Sequence, residues 1–155
     1  MTISRRKVLA AAPLLVVVSA THVLAETDES IHVVKDPGCP CCGGWIGHLR
    51  DSGFRVTFED RSIEELDAFK RERGIPEDLA SCHTATMGDY TLEGHVPAAD
   101  IRRLLAERPA AVGLSVPGMV VGSPGMGPET LREAYDVILV GIDGTGSVFT
   151  SYPAA

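Results

Sequence analysis

The stretch Ile31-His32-Val33-Val34-Lys35-Asp36-Pro37-Gly38-Cys39-Pro40-Cys41-Cys42-Gly43-Gly44-Trp45-Ile46-Gly47-His48-Leu49 sets the architecture. Ile31 to Val34 is a short β-branched run ended by Asp36-Pro37-Gly38, a strand followed by a turn. From Cys42 to Ser52 the period changes: Trp45, Ile46 and Leu49 share one helical face, and Gly53 supplies the stop. The cysteines therefore stand where a strand hands over to a helix.

Outward from there, Phe54 to Phe58 alternates again and predicts a second strand. Ser62 and Glu65 make a capping box, and Ile63, Leu66 and Phe69 recur at helical spacing until Gly74. Cys82 to Val96 carries Thr, Tyr and Leu around Gly88-Asp89, which predicts a hairpin. Pro97 opens a third helix, whose Ile101, Leu104 and Leu105 share a face and which Pro109 stops. The run from Gly113 to Gly127 holds Pro117, Pro124 and five glycines, so turns with at most a short strand are expected. Val137 to Val140 and Ser147 to Tyr152 flank Ile142-Asp143-Gly144-Thr145-Gly146 as a closing hairpin. The alternation of strand and helix signals, without repeats or a linker, predicts one α/β domain over residues 26–155.

Composition agrees with a globular chain: 155 residues, 45% hydrophobic, 23% charged and 5% aromatic. The 21 acidic against 14 basic residues give a net charge of −7, and no Lys/Arg cluster in the body offsets it. A phosphate backbone is thereby excluded as a partner. Residues 1–25 read as a signal peptide: Arg5, Arg6 and Lys7 precede an apolar run of 13 residues, Val8 to Ala20, and Val23-Leu24-Ala25 offers a cleavage site. The alternative is an anchor that stays attached, but the run is too short to span a bilayer. Ser4-Arg5-Arg6-Lys7-Val8-Leu9 is similar to a twin-arginine export signal, with Val8 where that pattern prefers Phe. Removing 1–25 leaves 11 basic and 21 acidic residues, a net charge of −10. The expected location is periplasmic, with no membrane-embedded segment after cleavage and with thiols free to oxidise.

Cys39-Pro40-Cys41-Cys42 concentrates the chemistry. Cys39 and Cys42 form a C-x-x-C of redox type, and Cys41 adds a third thiol between them. At a helix N-terminus, unpaired N–H groups and the macrodipole favour thiolate, which is both a nucleophile and a soft-metal ligand. Structural disulfides are the plain alternative, with Cys82 able to join one of the trio, although adjacent cysteines pair poorly. Met119 and Met126 lie in the Gly/Pro-rich run, where loop side chains seldom supply core packing. Thioether sulfur favours Cu(I), and zinc sites more often show separated C-x-x-C pairs, so copper is the expected metal. His48, six residues beyond Cys42, is about 9 Å along the helix axis and too far to share its metal. In a strand, His83 would point away from the face of Cys82. His95 is the better histidine candidate, and His32 has no assigned role.

Taken together, Lys35 to Trp45, His48-Leu49, Ser81-Cys82-His83-Thr84, Glu93-Gly94-His95-Val96-Pro97-Ala98, Val116-Pro117-Gly118-Met119 and Gly122-Ser123-Pro124-Gly125-Met126 resemble the CopG-like family of bacterial periplasmic copper-resistance proteins. The resemblance covers nearly all of the chain after residue 25. It implies a thioredoxin-like fold in which the Cys82–Val96 hairpin is an insertion over the site, and it makes Pro117 the candidate for a cis-proline facing the cysteines. It further implies a copper site, able to hold several ions, built from Cys39, Cys41, Cys42 and Cys82 with Met119, Met126 and His95 around them. Copper ions and other periplasmic copper-handling proteins are the implied partners, and interconversion of Cu(I) and Cu(II) the implied redox activity. Val120 departs from the family pattern, which has proline after Pro-Gly-Met.

Two functions follow from these residues. In one, bridging thiolates hold copper for resistance. In the other, the protein is a thiol-disulfide oxidoreductase in which Cys39 attacks and Cys42 resolves. A third cysteine inside C-x-x-C offers mispairing to the second and an extra ligand to the first, which favours copper.

Overall fold

A computed structural model describes residues 30–155, so the signal read at residues 1–25 lies outside the described part of the chain. Strand β1 (Ser30–Lys35) pairs in parallel with β2 (Arg55–Asp60) and antiparallel with β3 (His83–Met87). Flanked on both edges, it buries Ile31, Val33 and Val34 together. Helix α1 (Pro40–Asp51) begins two residues earlier than the sequence pattern alone predicts. The reason is Pro40: at the first helical position its missing N–H has no partner to lose, and its φ is already helical. Cys39 is the N-cap residue, and the turn before it is closed by Cys39 N donating to Asp36 O and Gly38 N to Asp36 Oδ1.

Helix α2 (Ile63–Glu72) carries the expected capping box with both reciprocal bonds: Glu65 N donates to Ser62 Oγ and Ser62 N to Glu65 Oε2. The hairpin is formed by β3 and β4 (Tyr90–Glu93), and helix α3 (Ala98–Glu107) crosses over to β5 (Ala111–Ser115), which lies parallel to β4. The chain closes with antiparallel β6 (Tyr135–Gly141) and β7 (Gly146–Tyr152). The sheet order is β2-β1-β3-β4-β5-β6-β7. The chain is thus a mixed α/β domain of seven strands and three helices among the described residues.

Helices α1 and α3 share a core with one face of the sheet: Trp45, Ile46, Leu49, Ile101 and Leu104 pack with Ile31, Val33, Ala85, Met87, Leu92 and Leu114. Helix α2 covers the other face, where its Lys70 reaches Thr84 and Glu93. That two-sided cover explains why β1 reads as an apolar run.

Two expectations need correction, and a third is met with an earlier start. The Cys82–Val96 hairpin is no peripheral insertion, because β3 and β4 occupy the middle of the sheet and their Ala85 and Leu92 are wholly buried. Pro117 is trans, like every peptide bond among the described residues, as is usual for X-Pro bonds. The turn-rich run does hold a short strand, but β5 starts at Ala111, ahead of the glycines, and its buried Leu114 and Ser115 are flanked by Gly113, which carries no side chain to reveal the strand period.

One glycine ties the hairpin to its surroundings. Gly94 follows β4 with φ +69°, and a Cβ there would lie 2.5 Å from Ser81 Oγ and 2.6 Å from Val116 O. Gly94→Ala should destabilise the protein by about 3 kcal/mol, combining a strained left-handed φ with a backbone collision. Ser62→Ala, which removes one half of an exposed capping box, should cost only about 1 kcal/mol. Urea unfolding of the two variants checks the ranking.

Candidate metal centre

The centre is assembled at the end of the sheet where β1 leaves and β3 enters. The Cα pairing of Lys35 with His83 places the Asp36–Cys39 turn beside Cys82. Cys39 precedes α1, while Cys41 and Cys42 lie in its first turn. The four sulfurs of Cys39, Cys41, Cys42 and Cys82 all lie within 4.8 Å of one another. Cys39 and Cys42 are joined as a disulfide with Cα atoms 5.5 Å apart, and Cys41 and Cys82 are free thiols. Cys41 Sγ is 3.5 Å from Cys39 Sγ and 3.8 Å from Cys82 Sγ, and Cys42 Sγ is 3.7 Å from Cys82 Sγ.

Histidines flank Cys82 on its inner side. His95 Nε2 is 3.2 Å and His83 Nδ1 3.3 Å from Cys82 Sγ, and these three ligand atoms form a second tight group. The tautomer of His95 follows from its other nitrogen: Nδ1 lies 2.7 Å from Pro124 O, a carbonyl that can only accept, so Nδ1 carries the proton and Nε2 presents its lone pair. Cys82 S–H then donates to His95 Nε2, and His83 Nδ1 lies against the same sulfur. His83 Nε2 is buried without a hydrogen-bond partner. The His83 ring packs against Trp45, with centroids 4.4 Å apart, and edge-on against His95 at 5.0 Å.

Burial holds both imidazoles neutral. It pushes the His83 pKa well below the usual histidine range, reinforced by His95 and by the Lys70 and Lys35 cations, and it lowers His95 as well. Neutral imidazole is the ligating form. The Cys82 thiol is pushed up to about 12 by burial and by the neighbouring Cys41. The lowering expected at a helix N-terminus does not reach Cys82, which stands across from the helix start rather than on it.

His83 departs from the strand-alternation argument for a simple reason. β3 begins at His83, so Cys82 is outside the ladder and the opposite-faces rule does not link the two side chains. No spacing in the sequence announces His83. Its signal is that a histidine beginning a buried strand must find a polar neighbour.

His48 is apart from the thiols, as its distance along the helix predicts. Its Nε2 accepts from Ala98 N at 3.2 Å, satisfying one of the free donors at the start of α3, and burial lowers its pKa. Met119 is 63% exposed and lines a cleft of about 360 Å³ together with Cys39, Cys41, Cys82, Ile63 and Lys70. Met126 is half-buried in a turn where its N donates to Ser123 O and its O accepts from Gly122 N, and it is not among the residues lining that cleft. The Ser123–Met126 turn presses on α1, since a Cβ on Gly44 would come within 2.9 Å of Gly125 O. This contact delivers Pro124 O to His95. His32 faces away and pairs with Thr57 and Glu59 on β2.

The cluster brings together four sulfurs, two of them joined as a disulfide, with two neutral imidazoles against half-buried Cys82, a set that suits a soft or borderline cation and offers hard cations no carboxylate ligand. No helix among the described residues is long and apolar enough to cross a membrane.

A family model described as a protein of unknown function, DUF411, matches residues 79–126. No protein of curated function gives a match. Two solved structures are similar to the chain. One, named copper resistance protein CopG, Form 1, is 43% identical over 81% of this chain and 98% of its own, with a TM-score of 0.76. The other, Form 2, is 44% identical over 80% of this chain and 98% of its own, with a TM-score of 0.73. At that identity over almost the whole length of those relatives, with the cysteine cluster assembled at one end of the sheet, the chain belongs to the CopG copper-resistance family.

Proposed function

We propose that the protein binds copper for copper resistance, after export to the periplasm and removal of residues 1–25. The observation that carries this reading is the convergence of four cysteine sulfurs within 4.8 Å, with two histidine nitrogens against one of them. Its relatives bear the name of copper resistance proteins. Cys39, Cys41, Cys42 and Cys82 are the bridging ligands, His95 and His83 complete the inner side, and Met119 closes the cleft side. Met126 acts from the next layer out, through the turn that orients His95. Four thiolates serving more than one ion each make the copper site multinuclear. Before all four sulfurs can ligate, an external dithiol must reduce the Cys39–Cys42 disulfide, giving up two electrons and two protons and itself closing to a disulfide, so copper loading is coupled to thiol redox state. Exchange between Cu(I) and Cu(II) belongs to the same reading.

The order β1-α1-β2-α2-β3-β4-α3, with strands β2-β1-β3-β4 adjacent and only the β1–β2 pair parallel among them, supports a thioredoxin-like description of that portion. It also keeps a second reading in view. The disulfide at the start of α1 is the arrangement a thiol-disulfide oxidoreductase uses, with Cys39 attacked and Cys42 leaving.

Metal content separates the two. Reduced protein should take up copper in competition with a Cu(I) chelator, and any one of the four Cys→Ser changes should lose most of it. A Cys82→Ser protein with wild-type copper content, or a metal-free protein that reduces insulin in a dithiol-dependent assay, favours the oxidoreductase. Met119→Leu keeps volume while removing the thioether, and should weaken Cu(I) by about tenfold with little change in stability. His48→Ala should leave copper content intact and cost about 1 kcal/mol through the lost acceptor at α3.

Export is tested separately. Replacing Arg5 and Arg6 by Lys should block periplasmic accumulation if the twin-arginine reading holds. Unchanged accumulation in fractionated cells would assign the chain to the general secretory route.

A further inference from the structure

Lys70 and Glu93 form a buried ion pair beside the cleft. Lys70 Nζ lies 2.6 Å from Glu93 Oε1, and the two side chains are 8% and 0% exposed. Such pairs contribute little net stability compared with apolar residues of the same shape, so a buried one invites a question about what it holds in place. Here the Glu93 carboxylate does more than meet Lys70. Its Oε1 accepts from Ser81 N at 2.6 Å, and its Oε2 accepts from Thr84 Oγ1 at 2.7 Å. Ser81 is the residue before Cys82, and its N–H has no ladder partner because β3 starts only at His83.

Ser81 is tied on its other side as well. Its hydroxyl donates to Gly118 O, Gly118 N donates to Ala80 O at 3.0 Å, and Ser81 and Gly118 form an isolated parallel bridge. Gly118 immediately precedes Met119. One residue therefore joins the Cys82 segment to the Met119 segment, and its backbone is held by one carboxylate.

We propose that the Lys70–Glu93 pair is a positioning device for the metal centre, with Glu93 fixing Cys82 against the start of α1 and, through Ser81, fixing the Met119 segment over the cleft. The charge matters because a carboxylate binds a backbone N–H more strongly than a neutral amide does. Lys70 orients that carboxylate from α2, its Nζ 2.6 Å from Glu93 Oε1. Without the bond, the segment leading into Cys82 loses its direct tie to β4 and keeps the Gly118 bridge and the bond from Ser115 Oγ to Leu79 O. The 3.7 Å and 3.8 Å separations from Cys42 and Cys41 would then widen. The inference rests on the copper reading above, in which Cys82 and Met119 are ligands.

The test uses the reduced, exported protein and Cu(I) itself. Glu93→Gln leaves the Lys70 charge unpaired and can fail to fold, so the deciding variant is Lys70→Met combined with Glu93→Leu, which replaces the pair by apolar residues of similar volume. Thermal unfolding and chelator competition are measured on both, with the copper–sulfur X-ray absorption signature as the readout that a purely structural role would not move. The double variant should unfold near the wild-type temperature, yet bind Cu(I) at least tenfold more weakly with an altered signature. Ser81→Ala, which removes the hydroxyl's bond to Gly118 O together with its 4.0 Å contact to Cys82 Sγ, should make a further Met119→Leu change nearly silent. A folded double variant with wild-type affinity and signature overturns the proposal. So does one that cannot fold, because the pair would then hold the sheet rather than the site. Failure of the wild-type protein to bind Cu(I) would instead overturn the copper reading.

Discussion

The antiparallel register of β1 against β3, with Lys35 opposite His83 and Val33 opposite Ala85, is the constraint on which the site depends. Strand β1 runs out of the sheet into the Asp36–Cys39 turn at the same end where β3 runs in from Cys82. Cysteines some forty positions apart in sequence thereby meet without either segment leaving its element. The register is pinned by burial. Ile31, Val33, Ala85 and Met87 face the α1 and α3 core, and Val34 and Thr84 face α2, so a slip of one residue would exchange the two faces. The same pairing sets His83 against Trp45 of α1 and turns its Nδ1 toward Cys82.

Most of the fold was legible because its signals are local. The Ser62–Glu65 capping box, the Gly88-Asp89 turn and the Trp45–Ile46–Leu49 face each lie within a few residues, and each forms as read. The convergence of Cys82 on the trio was legible through cysteine chemistry and the family resemblance. What was hidden depends on contacts between distant positions. His48 acts on α3 fifty residues away, Lys70 on Glu93 twenty-three away, and the His95 tautomer is fixed by a carbonyl twenty-nine away. Alternation misplaced His83 because the rule was applied across a strand boundary, where one partner no longer belongs to the ladder. The start of strand β5 was hidden for the opposite reason: Ala111 and Gly113 carry too little side chain to show a period.

The cluster around Cys82 holds an electrostatic asymmetry that a soft cation would relieve. Cys82 is kept protonated by burial and by its sulfur neighbour, and the adjacent imidazoles are kept neutral, so the interior of the site holds no net charge. A lone thiolate there would be unfavourable, since desolvation opposes the anion. A cation supplies the missing countercharge and lets the thiol lose its proton, which makes binding proton-linked by construction. Uncharged ligands at the inner side also mean that each bound monovalent ion needs about one thiolate for local neutrality. Neutral histidines alone supply no such charge.

The copper and oxidoreductase readings share the start of α1 and part company at Cys82. For exchange chemistry, a C-x-x-C disulfide needs an open face for the incoming thiol, and the cleft beside Cys39 and Cys41 provides one. Nothing in that chemistry calls for a further thiol held 3.7 Å from the buried partner Cys42, and a neighbour that close can attack the disulfide and scramble it. Nor does exchange need two neutral histidines around that extra sulfur. For a metal, the same features are assets: a fourth sulfur at bridging distance, a His95 nitrogen of fixed tautomer, and a carbonyl behind that ring to hold it. The polar groups arranged around Cys82 have a ready use in metal binding that disulfide exchange does not require, and that asymmetry favours the copper reading.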